Sequence, residues 1–236
     1  MRLIRFGILA SLAIASPIGA IAAQPAPAPQ SAESAAIDQA FQAIGAKDPA
    51  RALALADQVI AAEQTAHRGE RRTIYSAGSL AESLAYAAIG AKVGKDTVVL
   101  GPEWGQALFL KGYALIDLGR PDEARKYLER AVEMSPFNAQ FLGELAEWHK
   151  SRRQWSQAYE LFARAEAVAN LMPDEGSQKF FLSRALRGQG FVRIEQGKLD
   201  EAEALFRRCL QIDPNDAGAR SELEYIAQER RKRATS

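Results

Sequence analysis

Four positions recur at a fixed interval, and that interval restricts the chain to one kind of architecture. Gly112, Ala124, Leu128 and Ala131 are each followed 34 residues later by Ala146, Ala158, Phe162 and Ala165. The same four recur a third time, 44 residues further on, as Gly190, Ala202, Phe206 and Cys209. One insertion of 10 residues, 173–182, therefore interrupts an otherwise constant period. A period of this length is the mark of stacked helix–turn–helix units, none of which can bury its apolar face without a neighbour.

The unit 105–138 is the clearest. A first helix from about Trp104 to Leu118 carries Leu108, Gly112 and Leu115 on one face. Gly119-Arg120-Pro121-Asp122 breaks it, since Gly suits a helix C-terminus and Pro a helix start. The second helix, Asp122 to Met134, places Ala124, Leu128 and Ala131 inward, and Ser135-Pro136 ends it because the residue before proline is pushed out of helical geometry. Units 139–172 and 183–216 repeat the plan, with His149 in a slot where the pattern has a large ring and Cys209 in a small, buried one. The insertion is expected to lengthen the first helix of the last unit, with Ser177 as its N-cap. Residues 33–104 read as degenerate repeats, including one long helix over Thr73–Val93 with Ile74, Leu80, Leu84 and Ala88 on one stripe. Val98-Val99-Leu100 is left open between a buried loop and an extended segment. Residues 217–236 form a capping helix with a basic tail, Arg230-Arg231-Lys232-Arg233, and Glu222 is expected on its water side.

Leu108, Gly112, Leu115, Ala124, Leu128, Ala131 and Pro136 together resemble the tetratricopeptide repeat (TPR), here of an exported bacterial type. The resemblance implies an all-α fold: a right-handed α-solenoid of about five antiparallel helix pairs with a C-terminal capping helix. It also implies a concave groove lined by the first helices, with partner contacts at set positions of each unit. Here those positions include Phe109, Tyr113 and Asp117 in one unit, Glu147 and Lys150 in the next, and Arg184, Arg187 and Phe191 in the third. Tyr225 extends the set onto the cap. Aromatic rings and arginine are the side chains that most often anchor interfaces. The competing expectation is that the rings fill the groove from within. The paired Lys and Asn with which some members grip acidic C-termini have no counterpart, since Phe109 and Tyr113 stand in their places.

Catalysis finds no purchase. The only histidines, His67 and His149, lie in different units without metal-ligand spacing, and there is no phosphate loop or nucleophile elbow. Asp122/Glu123 and Asp200/Glu201 sit in first turns of helices, where they complement the helix dipole. The expectation is a chain without catalytic, cofactor or metal residues.

Residues 1–23 read as a secretory signal: Arg2 and Arg5, the apolar run Phe6–Ala15, then Ala20-Ile21-Ala22 before Ala23. An uncleaved anchor is the alternative. Residues 24–32 follow as a Pro/Ala-rich disordered linker. Losing the two arginines of the signal takes the formal charge from +1 to −1, so neither nucleic acid nor a stable membrane association is expected. The sequence thus points to a periplasmic (alternatively secreted) scaffold that binds a protein or peptide in its groove. The alternative is a structural subunit of an envelope assembly, using its convex face or the loop Arg152-Arg153-Gln154-Trp155. Oligomeric state is not legible.

Overall fold

The computed structural model describes residues 30–234. The expected signal at 1–23 and residues 24–29 of the expected linker at 24–32 lie outside the described residues. Ser31 and Ala32 do not belong to a linker: Ser31 caps the first helix, accepting the Ser34 amide at 3.0 Å, and the helix begins at Ala32.

Among the described residues the chain forms ten α-helices. α1 (Ala32–Gly45) pairs with α2 (Pro49–Ala66), α4 (Glu103–Asp117) with α5 (Pro121–Met134), α6 (Ala139–Ser151) with α7 (Trp155–Val168), and α8 (Glu175–Glu195) with α9 (Leu199–Ile212). α10 (Ala217–Ala234) closes the array against α9 and α8. The solenoid therefore has four helix pairs and a cap, one pair fewer than the repeat arithmetic suggested.

The residues that carry the repeat sit where the helices of a pair meet. Ala124, Ala158 and Ala202 are fully buried, as are Leu128, Phe162 and Phe206. A Cβ on Gly112 would stand 2.6 Å from Leu128 Cδ2, and one on Gly190 would stand 2.6 Å from Phe206 Cζ. No side chain fits there without overpacking, which costs about 1–3 kcal/mol in a packed interior.

The turn inside each pair has a shared cause. At all four of these turns the residue after the helix cap adopts a positive φ: Lys47 at 58°, Gly119 at 73°, Arg153 at 56° and Gly197 at 74°. In each, the next amide reaches back to a carbonyl one turn earlier: Asp48 to Ala43 at 2.9 Å, Arg120 to Leu115 at 2.8 Å, Gln154 to His149 at 3.0 Å and Lys198 to Arg193 at 2.9 Å. This is the Schellman arrangement, for which glycine is the unstrained choice. The α1–α2 turn uses lysine and the α6–α7 turn arginine.

Residues 73–100 depart from the repeat. In place of one long helix there is a strand, β1 (Thr73–Ser76), then α3 (Leu80–Val93), then β2 (Thr97–Leu100). The strands pair in parallel, Thr73 opposite Thr97 and Ser76 opposite Leu100. Parallel neighbours need a crossover of a dozen or more residues, and α3 supplies it. Val98-Val99-Leu100 is thus strand. Ser76 ties the insert to the array: its hydroxyl donates to Gly101 O at 2.8 Å and accepts from the Gly105 amide at 3.1 Å, while its carbonyl accepts from Ser135 Oγ at 2.6 Å. The apolar stripe of α3 lies on its outer side. Glu82 and Tyr86 face inward, and Leu80 and Leu84 face out.

The 10-residue insertion enters α8, which runs for 21 residues against 13 or 14 in α5, α6, α7 and α9. Its N-cap is Asp174, which accepts the Ser177 amide at 2.9 Å; Ser177 is inside the helix. Phe181 and Leu182 of the added turns pack on Ala139, Ala169 and Met172. Phe180 does not join them.

Candidate functional site

α8 carries an exposed ring and three half-buried side chains on one face. Phe180, Arg184, Arg187 and Phe191 are spaced four, three and four residues apart, so they share one side of the helix. α6 presents Glu147 and Lys150 toward that side, and α10 presents Gly218 and Glu222. Together they enclose a cleft of about 390 Å³. A second hollow of about 390 Å³ adjoins it, lined by Lys179, Ser183, Ile212, Asp213 and Asp216 and sharing Phe180 and Arg187.

Buried acids fix the two arginines. Arg184 Nη2 donates to Glu144 Oε2 at 2.8 Å, and Arg187 Nη1 donates to Asp216. Glu144 and Asp216 are both buried, whereas the arginine side chains remain partly exposed. Each guanidinium has five N–H donors, so the pairing orients the fork and leaves donors to spare. Burial alone would raise the Asp216 carboxyl. Hydrogen bonds from the Ala219 amide and from Arg187, with the Arg187 charge, outweigh it and hold the group below the usual carboxylate range. Asp216 also caps α10, accepting the Ala219 amide at 2.9 Å, so one side chain sets both the helix start and the arginine.

Lys150 lies 2.5 Å from Glu147 Oε2, with its ammonium 5.0 Å from the Phe191 ring centroid. Glu222 is half-buried opposite; burial raises its carboxyl, against the pull of Lys150. The cleft thus offers two rings, Phe180 and Phe191, and fixed charges of both signs. It suits a mixed apolar and polar segment.

Five of the nine residues expected to face a partner meet in this cleft: Glu147, Lys150, Arg184, Arg187 and Phe191. Four do not. Phe109 is only 4% exposed and belongs to the core, its ring stacked on Phe141 at 5.0 Å and tilted against Phe41 at 6.5 Å. α1 and α6 close over it from both sides, so the groove is filled at that point. Tyr113 and Asp117 line a separate hollow against the Ile44–Pro49 turn, and burial, then Asp117, raises the Tyr113 hydroxyl. Tyr225 is exposed on α10 outside the cleft's lining.

Two contributors escaped the sequence reading. Phe180 precedes Arg184 by one helical turn, a signal that was present once the insertion was taken as helix. Glu222, expected to face water, faces the cleft because α10 occupies the position of a further first helix. In the loop 152–155, Arg153 is exposed while its neighbours are engaged. Trp155 packs on the core with its ring 6.3 Å from Phe191, and the Arg152 guanidinium lies 4.2 Å from the Trp148 ring while pairing with Asp122. In the tail, Arg230 binds Glu203 at 2.5 Å and also Asp200, fastening α10 to α9.

His149 is buried, with Nδ1 2.6 Å from Gln154 Oε1 and its ring edge-on to Trp148. His67 stacks on Trp104 and lies 3.3 Å from Glu63. Burial pushes the Cys209 thiol up to about 11. Among the described residues no group of three or more His, Cys, Asp or Glu side chains could hold a metal ion, and no helix is long and apolar enough to cross a membrane.

Family models described as tetratricopeptide repeat match residues 105–138 and 183–216. No curated protein matches the chain. Among solved structures, Pseudomonas aeruginosa pilF is similar with a TM-score of 0.57 and 12% identity, over 85% of this chain and 69% of that one. A MamA RS-1 double mutant is similar with a TM-score of 0.54 and 12% identity, over 84% of each. The first such domain of human RPAP3 matches at 23% identity over 56% of this chain and 96% of that one, with a TM-score of 0.48. At these identities the first two likenesses concern the fold.

Proposed function

We propose that this chain, a tetratricopeptide-repeat protein, is a non-enzymatic adaptor that holds a segment of a partner protein in the cleft between α6, α8 and α10. One observation carries the reading: the insertion that breaks the repeat brings the exposed ring of Phe180 to the same cleft as Phe191, beside two arginines held by buried acids. Rings and arginines that are rigid before binding lose little entropy on docking, which makes them good anchors. The mixed charges favour selectivity for a segment with an apolar side chain flanked by polar ones.

The test is a pair of variants. Phe180→Ala combined with Arg187→Ala is expected to abolish capture of the partner from the native cell envelope while helicity is retained. Phe180→Ala alone is expected to keep the wild-type melting temperature. Capture that survives the double variant refutes the assignment. We further propose that the chain acts in the periplasm after removal of residues 1–23. Cell fractionation and the N-terminal sequence of the isolated protein test this; a cytoplasmic protein that retains residues 1–23 contradicts it.

A further inference from the structure

The crossover helix α3 turns its polar side inward and its apolar side to solvent. Inward, Glu82 accepts the Gly78 amide at 2.7 Å and Asn138 Nδ2 at 3.3 Å. Tyr86 is fully buried between the Tyr75 and Phe137 rings, its hydroxyl accepting the Phe137 amide at 3.3 Å. Outward lie Leu80, Ala81, Leu84, Ala87, Ala88 and Ala91, all exposed. Leu80 at 75% and Leu84 at 65% are the most exposed large apolar side chains among the described residues. A surface helix ordinarily presents the opposite arrangement.

The outward residues have a pairing pattern. Leu80, Leu84, Ala87 and Ala91 are spaced four, three and four apart, the seam along which one helix packs against another. Large side chains occupy the N-terminal half of that seam and small ones the C-terminal half. The ends also differ in charge. At the C-terminal end lie Lys92 and Lys95, with Arg71 two residues before β1 and Asp96 directly before β2, all four exposed. At the N-terminal end, Ser79 Oγ donates to Leu171 O at 3.2 Å. Asp174 follows Leu171 by three residues and is exposed, while Glu175 beside it pairs with Lys179 at 2.5 Å.

We propose that α3 is a homodimerisation helix, a second copy of this chain laying its own α3 antiparallel across a twofold axis. Leu80 then faces the second copy's Ala91, and Leu84 faces its Ala87, so each large side chain meets a small one. The Lys92 end of one copy meets the Ser79 end of the other, and the helix dipoles oppose. A parallel pairing would stack Leu on Leu, leave a gap between alanines and set like charges together. The contact is self-complementary and closes at two copies. The 14-residue helix is about 21 Å long, a small seam beside the ~1,200–2,000 Å² of a stable interface, so the dimer forms in a concentration-dependent manner.

Sedimentation velocity of the purified protein over a wide micromolar range tests this. The wild type is expected to pass from monomer to dimer as concentration rises, and Leu84→Glu to remain monomeric with unchanged circular dichroism and melting. A wild type that stays monomeric throughout overturns the proposal, as does a Leu84→Glu variant that dimerises equally. Flotation of a wholly monomeric wild type with phosphatidylglycerol-containing vesicles would assign the face to lipid and also overturn it. Register is read by oxidation: Leu80→Cys with Ala91→Cys should give a covalent dimer, and Leu80→Cys alone should not. Cys209 is buried and stays out of the reaction. Cross-linking by Leu80→Cys alone would mean parallel helices and refute the arrangement.

Discussion

Replacing Phe109 with alanine should destabilise the protein, and replacing Phe180 should not, although both rings lie on first helices of their units. Phe109 is 4% exposed and stacked on Phe141 at 5.0 Å, with Phe41 and Tyr113 at 6.5 and 6.1 Å. Truncating a core phenylalanine costs about 3–5 kcal/mol, and the surrounding ring contacts place this site in the upper half of that range. For a domain of this size each kcal/mol lowers the melting temperature by about 2–4 °C, so Phe109→Ala should melt roughly 8–20 °C below the wild type. Phe180 is 56% exposed; its truncation belongs with surface changes that stay within about 0.5 kcal/mol. Urea unfolding followed by circular dichroism, with thermal melts alongside, reads both. A Phe109→Ala loss under about 1 kcal/mol would mean that the ring is free in the groove. It would refute the claim that α1 and α6 close over it.

Three further outcomes follow from single side chains. Arg153→Gly should stabilise by about 1 kcal/mol, since Arg153 holds φ at 56° where two of the equivalent turns have Gly119 and Gly197; a loss of stability in urea would show that the arginine side chain matters more than its backbone. Cys209 should resist a thiol reagent at pH 8 in the folded protein and react on unfolding, because it is buried and its thiol is pushed up to about 11; rapid native labelling would contradict this. Asp216 has a folded carboxyl below the ordinary aspartate value of about 3.9. Its contribution is therefore present above that value and lost as pH falls through the lower folded one. Melting from pH 6 to pH 2 should show the gap between wild type and Asp216→Asn closing at the acid end, and a constant gap would mean the Arg187 pair contributes nothing.

The repeat was legible because it is written in small residues at helix crossings. Gly112 and Gly190 have no room for a Cβ, and such positions announce themselves by period alone. The insert at 73–100 was not legible, for two reasons. Each strand has only four residues, and what makes them strands is a parallel partner 24 residues away, which no local pattern records. Which way the apolar stripe of α3 faces was not legible either, since Leu80 and Leu84 point to solvent. The inward Glu82 is tolerable only through the Gly78 amide and Asn138, contacts that exist once the chain has folded. The candidate site divides along the same line. Arg184, Arg187 and Phe191 followed from their places in the unit, while the fate of Phe109 depended on Phe41 arriving from α1. Phe180 lay outside the repeat altogether. Its role rests on the insertion continuing as helix from Glu175.

The central claim is that the cleft beside the insertion receives the partner. A photoreactive phenylalanine analogue at position 180, illuminated in intact cells, tests it most directly. Position 207 on α9, where the side chain is 67% exposed and outside the cleft, serves as the control. The account predicts one discrete adduct from position 180, lost when Arg187→Ala is added, and none from position 207. Equal adducts from both positions, or an adduct at 180 indifferent to Arg187, would contradict it.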